Sequence, residues 1–129
     1  MPPSVVLEVL RIIKAETNLR DETRVAEQKK PSLSAPEFEA AASELDQTQT
    51  ALHDRTQAVI DQLEDLQETK NKNYGQAIQR LEVAKSAMTD ASDLLAAAES
   101  GPPTIAAETE AIEALLITKR GGGGGGGGG

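Results

Sequence analysis

From Phe38 onward the apolar positions keep a seven-residue repeat. Phe38, Leu45, Leu52, Val59 and Leu66 fall on one register, and Ala42, Gln49, Thr56 and Leu63 on the other. Alternating steps of four and three lay a narrow stripe along one side of a helix, a seam suited to pairing with another helix. Gln49 and Thr56 interrupt it with polar groups, so the seam reads as one wall of a bundle. Its start is signalled by SLSAPEF: Ser34 fits an N-cap, Glu37 its capping-box partner, and Leu33 and Phe38 the two ends of a hydrophobic staple. Pro36 in the first turn removes only an N–H that has no helical partner. The spacing predicts a helix over 36–70.

A second seam follows. Ala77, Ala84, Ala91 and Ala98 recur every seven residues, with Leu81, Met88 and Leu95 between them. Small residues on one register and large ones on the other let two backbones approach closely, so a helix over 74–99 is expected to fold back on 36–70 as an antiparallel hairpin. Between them TKNKNYGQ is a poor helix interior, and Asn73 with Gln76 offers a capping box; a turn is the favoured reading and one continuous helix with a register skip the alternative. Ser100-Gly101-Pro102-Pro103 ends the second seam, with Gly101 suited to a left-handed C′ position. Thr104 then caps a last helix to about Lys119, with Ile105, Ile112, Leu115 and Leu116 as its apolar face. At the other end, Ser4 is the expected N-cap of a first helix over 5–30. Its Val5, Val6, Leu7, Val9, Leu10, Ile12 and Ile13 are apolar almost all round, more than one face of a monomer needs, whereas LRDETR (19–24) is largely charged.

Composition sharpens this picture. Of 11 glycines only Gly75 and Gly101 precede the terminal run, and Phe38 and Tyr74 are the sole aromatics. The body is therefore all-α, about four helices over 1–120, and 121–129 reads as a disordered poly-glycine tail. Its core is aliphatic, with few anchors for a ligand pocket. There is no cysteine, which removes thiol catalysis and thiolate metal sites. The net charge is −8, concentrated in 36–71 with nine acidic and two basic side chains. Such a surface repels a phosphate backbone, so nucleic acid is excluded as a partner. MPPSVVLEVLRIIK has no basic leader and is broken by Glu8 and Arg11, so it is neither a signal peptide nor a membrane span; as a docking or membrane-surface segment it lacks a strongly basic face, and burial in the bundle is preferred.

Candidate chemistry is sparse. The lone histidine, His53, sits beside the seam next to Asp54, and one histidine cannot build a di-iron bundle site. Glu37, Glu39, Glu44, Asp46, Asp61, Glu64, Asp65 and Glu68 read as a solvated face rather than a calcium site, because no EF-hand spacing is present. No phosphate-binding glycine loop or nucleophile–base pairing stands out. No catalytic residue, metal or cofactor is expected.

Three strings, LRDETRVAEQ (19–28), AMTDASDLLAAAESG (87–101) and AAETEAIEALLITKRGGGG (106–124), resemble helical regions of large, uncharacterised bacterial envelope proteins that run into glycine-rich tracts. The resemblance implies a segment of a membrane-associated or exported protein whose membrane contacts lie outside this stretch, and it transfers no site residues. A body that breaks off within pure glycine fits the same expectation of a fragment. The expected function is non-catalytic: a helical interaction region that packs with the rest of its parent chain or self-associates. It would be carried by Val5, Val6, Val9, Leu10 and Ile13, by the Leu45, Leu52, Val59, Leu66 seam, and by Ala77, Leu81, Ala84, Met88, Ala91, Leu95 and Ala98. The alternative is a stand-alone adaptor that binds a protein through its apolar first helix.

Overall fold

The computed structural model describes the backbone of residues 1–124 and the side chains of residues 1–119. The chain forms four helices: α1 (Pro3–Lys29), α2 (Ala35–Lys70), α3 (Gly75–Ala96) and α4 (Pro102–Gly124), with a 3-10 turn, Lys30–Ser32, after α1. There is no strand among the described residues. Helix α1 packs on α2 and α4, and α3 packs on the same two from the other side. Cross-helix contacts run in opposite chain directions. Glu8 meets Arg55 and Glu16 meets Gln49, Gln57 meets Lys85 and Asp46 meets Ser92, Arg20 meets Thr109 and Glu27 meets Ser100. The molecule is an up-down-up-down four-helix bundle.

The α2 start follows from its sequence. Glu37 N–H donates to Ser34 Oγ at 3.2 Å, Ser34 N–H donates to Glu37 Oε1 at 2.8 Å, and Pro36 lies in the first turn. Phe38 is buried, Leu33 packs against the same core, and the Lys30 ammonium lies 5.0 Å from the centre of the Phe38 ring. At the far end Asn71 takes the left-handed conformation that stops a helix (φ 52°), and the chain turns through 71–74. That settles the choice between turn and continuous helix in favour of the turn.

Other boundaries differ from expectation. Helix α1 starts at Pro3 with Pro2 as N-cap, so Ser4 lies inside the first turn; proline's fixed φ suits the first helical position and no side-chain cap is used. Asn73 does not form a capping box: its Oδ1 accepts from Gly75 N–H at 3.0 Å, and Tyr74 N–H donates instead to Gln67 Oε1 at 2.7 Å. Helix α3 ends at Ala96, short of 99, and the left-handed residue is Ala98 (φ 58°), not Gly101. Ala98 N–H donates to Leu95 O and Glu99 N–H to Leu94 O, both at 2.9 Å, the two reciprocal bonds of a Schellman ending. The prolines that bar α3 from continuing open α4, which begins at Pro102 rather than at a Thr104 cap; Thr104 Oγ1 donates back to Glu99 O at 2.8 Å. Helix α4 extends beyond Lys119 to Gly124. The expectation of a disordered tail otherwise falls on 125–129, outside the described residues.

The core is aliphatic, as the two seams require: Val5, Val9, Ile12, Leu45, Leu52, Val59, Ile60, Leu63, Leu81, Met88, Leu95 and Leu115 are all buried.

Candidate functional site

Two regions of the bundle do more than fill space, and both lie on α1. Its inward stripe runs Val5, Val9, Ile12, Glu16, Leu19, Thr23 and Ala26, a heptad pattern in which a carboxyl and a hydroxyl occupy core positions. Glu16 and Thr23 are fully buried, and so are Gln49 and Thr56 of α2 and Glu108 and Thr118 of α4. Gln49 Nε2 donates to Glu16 Oε1 at 2.6 Å, joining α1 to α2. Thr23 Oγ1 lies 2.7 Å from Glu108 Oε2, joining α1 to α4, and 2.9 Å from Leu19 O of its own helix, with one hydroxyl hydrogen to serve the two. The buried residues of α3 are alanine, leucine and methionine, so that helix adds no polar group to the layer.

Some polar atoms in and beside this layer are unpartnered. Glu16 Oε2, Gln49 Oε1, Glu108 Oε1 and Arg20 Nε are buried without a hydrogen-bond partner. Arg20 directs Nη1 to Thr109 Oγ1 at 3.1 Å, and Arg24 pairs with Asp21 on the surface, so neither carboxyl has an ion-pair partner. Burial pushes the Glu16 carboxyl up to about 8, the nearby Glu108 charge adding to it against the Gln49 amide and Arg20. Burial likewise raises Glu108 to about 7, opposed by the Thr23 hydroxyl and by Arg20 and Arg24.

The second region is the outer flank of α1. Leu7 and Leu10 are 48% and 40% exposed, with Val6 and Ile13 half-buried beside them. Near it Arg55 holds Glu8 through two bonds, 2.9 Å from Nε and 3.0 Å from Nη2, which lowers the Glu8 pKa and fixes α1 to α2.

The residues singled out from sequence thus separate into two sets. Val5, Val9, Leu45, Leu52, Val59, Ala77, Leu81, Ala84, Met88, Ala91 and Leu95 are buried in the chain's own core, while Val6, Ile13, Leu66 and Ala98 are half-buried and Leu10 is exposed. Ala98 has left the helical seam for the turn after α3. Leu7, missing from that set, is the most exposed large hydrophobic side chain among the described residues. Glu16, Thr23 and Glu108 were missed because a search for apolar repeats discards polar residues; their signal was the unbroken spacing 5, 9, 12, 16, 19, 23 and 104, 108, 111, 115, 118.

Elsewhere the surface offers little chemistry. Thr50, His53, Thr89 and Ser92 line a shallow groove between α2 and α3. There His53 faces Asp54 at 3.1 Å, and Ser92 bonds to Asp46 rather than to the imidazole, so no nucleophile–base pair forms. Among the described residues no group of three or more His, Asp or Glu side chains could hold a metal ion, and no helix is long and apolar enough to cross a membrane. Comparison with protein-family models, curated proteins and solved structures finds no match to this chain.

Proposed function

We propose that this chain is a non-catalytic helical interaction region, part of a larger membrane-associated or exported bacterial protein, that docks on protein, either a second copy or the remainder of its parent chain, through the outer flank of α1. The observation that supports it is the exposure of Leu7 and Leu10 on a helix whose opposite stripe is already buried. Covering the remaining exposed part of these two leucines gains about 1 kcal/mol each. The polar and charged α2 surface offers no comparable patch. The envelope setting rests on the three resembling strings alone, and any membrane contact would belong to segments outside this chain.

Thermal melting at protein concentrations about a hundredfold apart tests the self-association branch: the midpoint rises with concentration if copies pair. The variant L7Q/L10Q should remove that rise and leave the dilute melting point unchanged, since neither side chain belongs to the core. A rise that persists in L7Q/L10Q would move the docking surface elsewhere. For the parent-chain branch, the same variant should weaken binding of the remainder of the parent protein in a direct titration.

A further inference from the structure

The polar layer inside the bundle is short of donors unless it holds protons: against the single unpartnered buried donor, Arg20 Nε, stand three unpartnered buried acceptors, Glu16 Oε2, Gln49 Oε1 and Glu108 Oε1, among the described residues. Glu16 Oε2 and Gln49 Oε1 are both acceptors when the carboxyl is ionised, both buried and both unpartnered, and they belong to two side chains already joined at 2.6 Å. A proton on Glu16 turns Oε2 into a donor, the complement of a carboxamide oxygen. Glu108 Oε1 stands in the same position: buried, unpartnered, and a donor only when protonated. An ionised carboxylate left this way inside an apolar core is strongly unfavourable.

Arg20 and Arg24 offset the burial of these carboxyls only in part, and neither forms an ion pair with them. On α1 the cations facing the pair are Arg20, whose Nη1 is engaged by Thr109, and Arg24, paired with Asp21. Facing from α2 is Gln49, which is uncharged; the buried residues of α3 are alanine, leucine and methionine; and on α4 the titratable group is Glu108 itself. The raised carboxyl pKa values described above agree with this geometry.

Both polar links involve α1, one reaching α2 and the other α4, and α1 packs less extensively on those helices than α3 does. We propose that the layer is a proton-operated lock on α1: with protons on Glu16 and Glu108 the helix is seated against α2 and α4, and their loss unseats it, baring Val5, Val9, Ile12 and Leu19. The lock is internal to the chain and does not depend on what docks on the outer flank of α1.

Amide hydrogen exchange on the whole chain at about pH 5.5 and about pH 8, corrected for the intrinsic pH dependence of exchange, tests it. The expected result is a loss of protection in α1 of roughly tenfold or more at the higher pH, with α2, α3 and α4 changing less. In the double variant E16Q/E108Q, which fixes both groups in a neutral donor-and-acceptor form, α1 protection should be equal at the two pH values. Equal α1 protection in the unaltered chain, an equal loss in all four helices, or the same loss in E16Q/E108Q would each overturn the lock. Should that variant not fold, carboxyl titration of the unaltered chain by carbon NMR decides: two glutamates titrating above about pH 6 support the lock, and all glutamates titrating below about pH 5.5 with α1 still folded overturn it.

Discussion

Ala98 sits in a conformation that glycine tolerates and alanine resists, because its Cβ crowds the following carbonyl at φ 58°. The strain is accepted because the two Schellman bonds close the end of α3 and tertiary contacts hold the turn: Ser100 Oγ donates to Glu27 Oε1 at 2.8 Å, and Thr104 ties back to Glu99. Ala98→Gly is therefore expected to stabilise the bundle by about 0.5–1 kcal/mol, the relief of strain exceeding the added freedom of the unfolded chain. Urea unfolding checks it; an unchanged or lower midpoint would mean the turn, not the residue, carries the strain. At this scale local chemistry was legible in the sequence where neighbours decide alone, as at Ser34 and Glu37. It was illegible at 97–104, where Glu27, some 70 residues away, helps choose which residue turns left-handed.

Among the elements, α3 shows what a stripe of small residues does. Ala77, Ala84, Ala87 and Ala91 are buried between Leu81, Met88 and Leu95, so α3 can approach both α2 and α4 closely. Ala84 and Ala91 are completely covered, which leaves no room for added methylenes. Ala84→Leu should cost about 1–3 kcal/mol through overpacking, read as a lowered unfolding midpoint with helix content retained. A neutral effect would show that the α3 interface is looser than its burial implies. The seams of α2 and α3 were readable because apolar residues fill most of their inward positions. The stripe of α1 was not, because its outward positions Val6, Leu7, Leu10 and Ile13 are as apolar as its inward ones, and two of the inward ones are Glu16 and Thr23. Hydrophobicity alone could not say which side of that helix faced in.

For the molecule as a whole, the buried carboxyls set how stability follows pH. Their folded pKa values, about 8 for Glu16 and about 7 for Glu108, stand above the ordinary 4.5. Their contribution is fully present below about pH 4.5, where folded and unfolded chains both hold the protons. It is lost as pH rises toward 7–8, by at most about 1.4 kcal/mol per pH unit for each group, because the unfolded chain releases protons that the folded one retains. Glu8 and Glu37, both lowered, act in the opposite sense and only in acid, their contribution fading as pH falls below the ordinary carboxyl range. Unfolding midpoints should peak in mildly acidic solution and decline toward about pH 8; a midpoint rising over that interval would contradict the buried-carboxyl account.

The closure of α1 onto α4 also bears on how fast the chain folds. Helices α2, α3 and α4 meet neighbours joined by short turns, so their pairings form among nearby segments and need little chain to be gathered. The α1–α4 seam joins residues as far apart as Arg20 and Thr109, 89 positions along the chain, and must wait for the largest loop to close. Thr23 and Glu108 meet in that seam, where a slip of one helical turn would strand a carboxyl in the core. The seam that closes the largest loop is thus also one in which a wrong register is penalised, so the longest search in assembling the bundle ends in a contact that checks its own alignment.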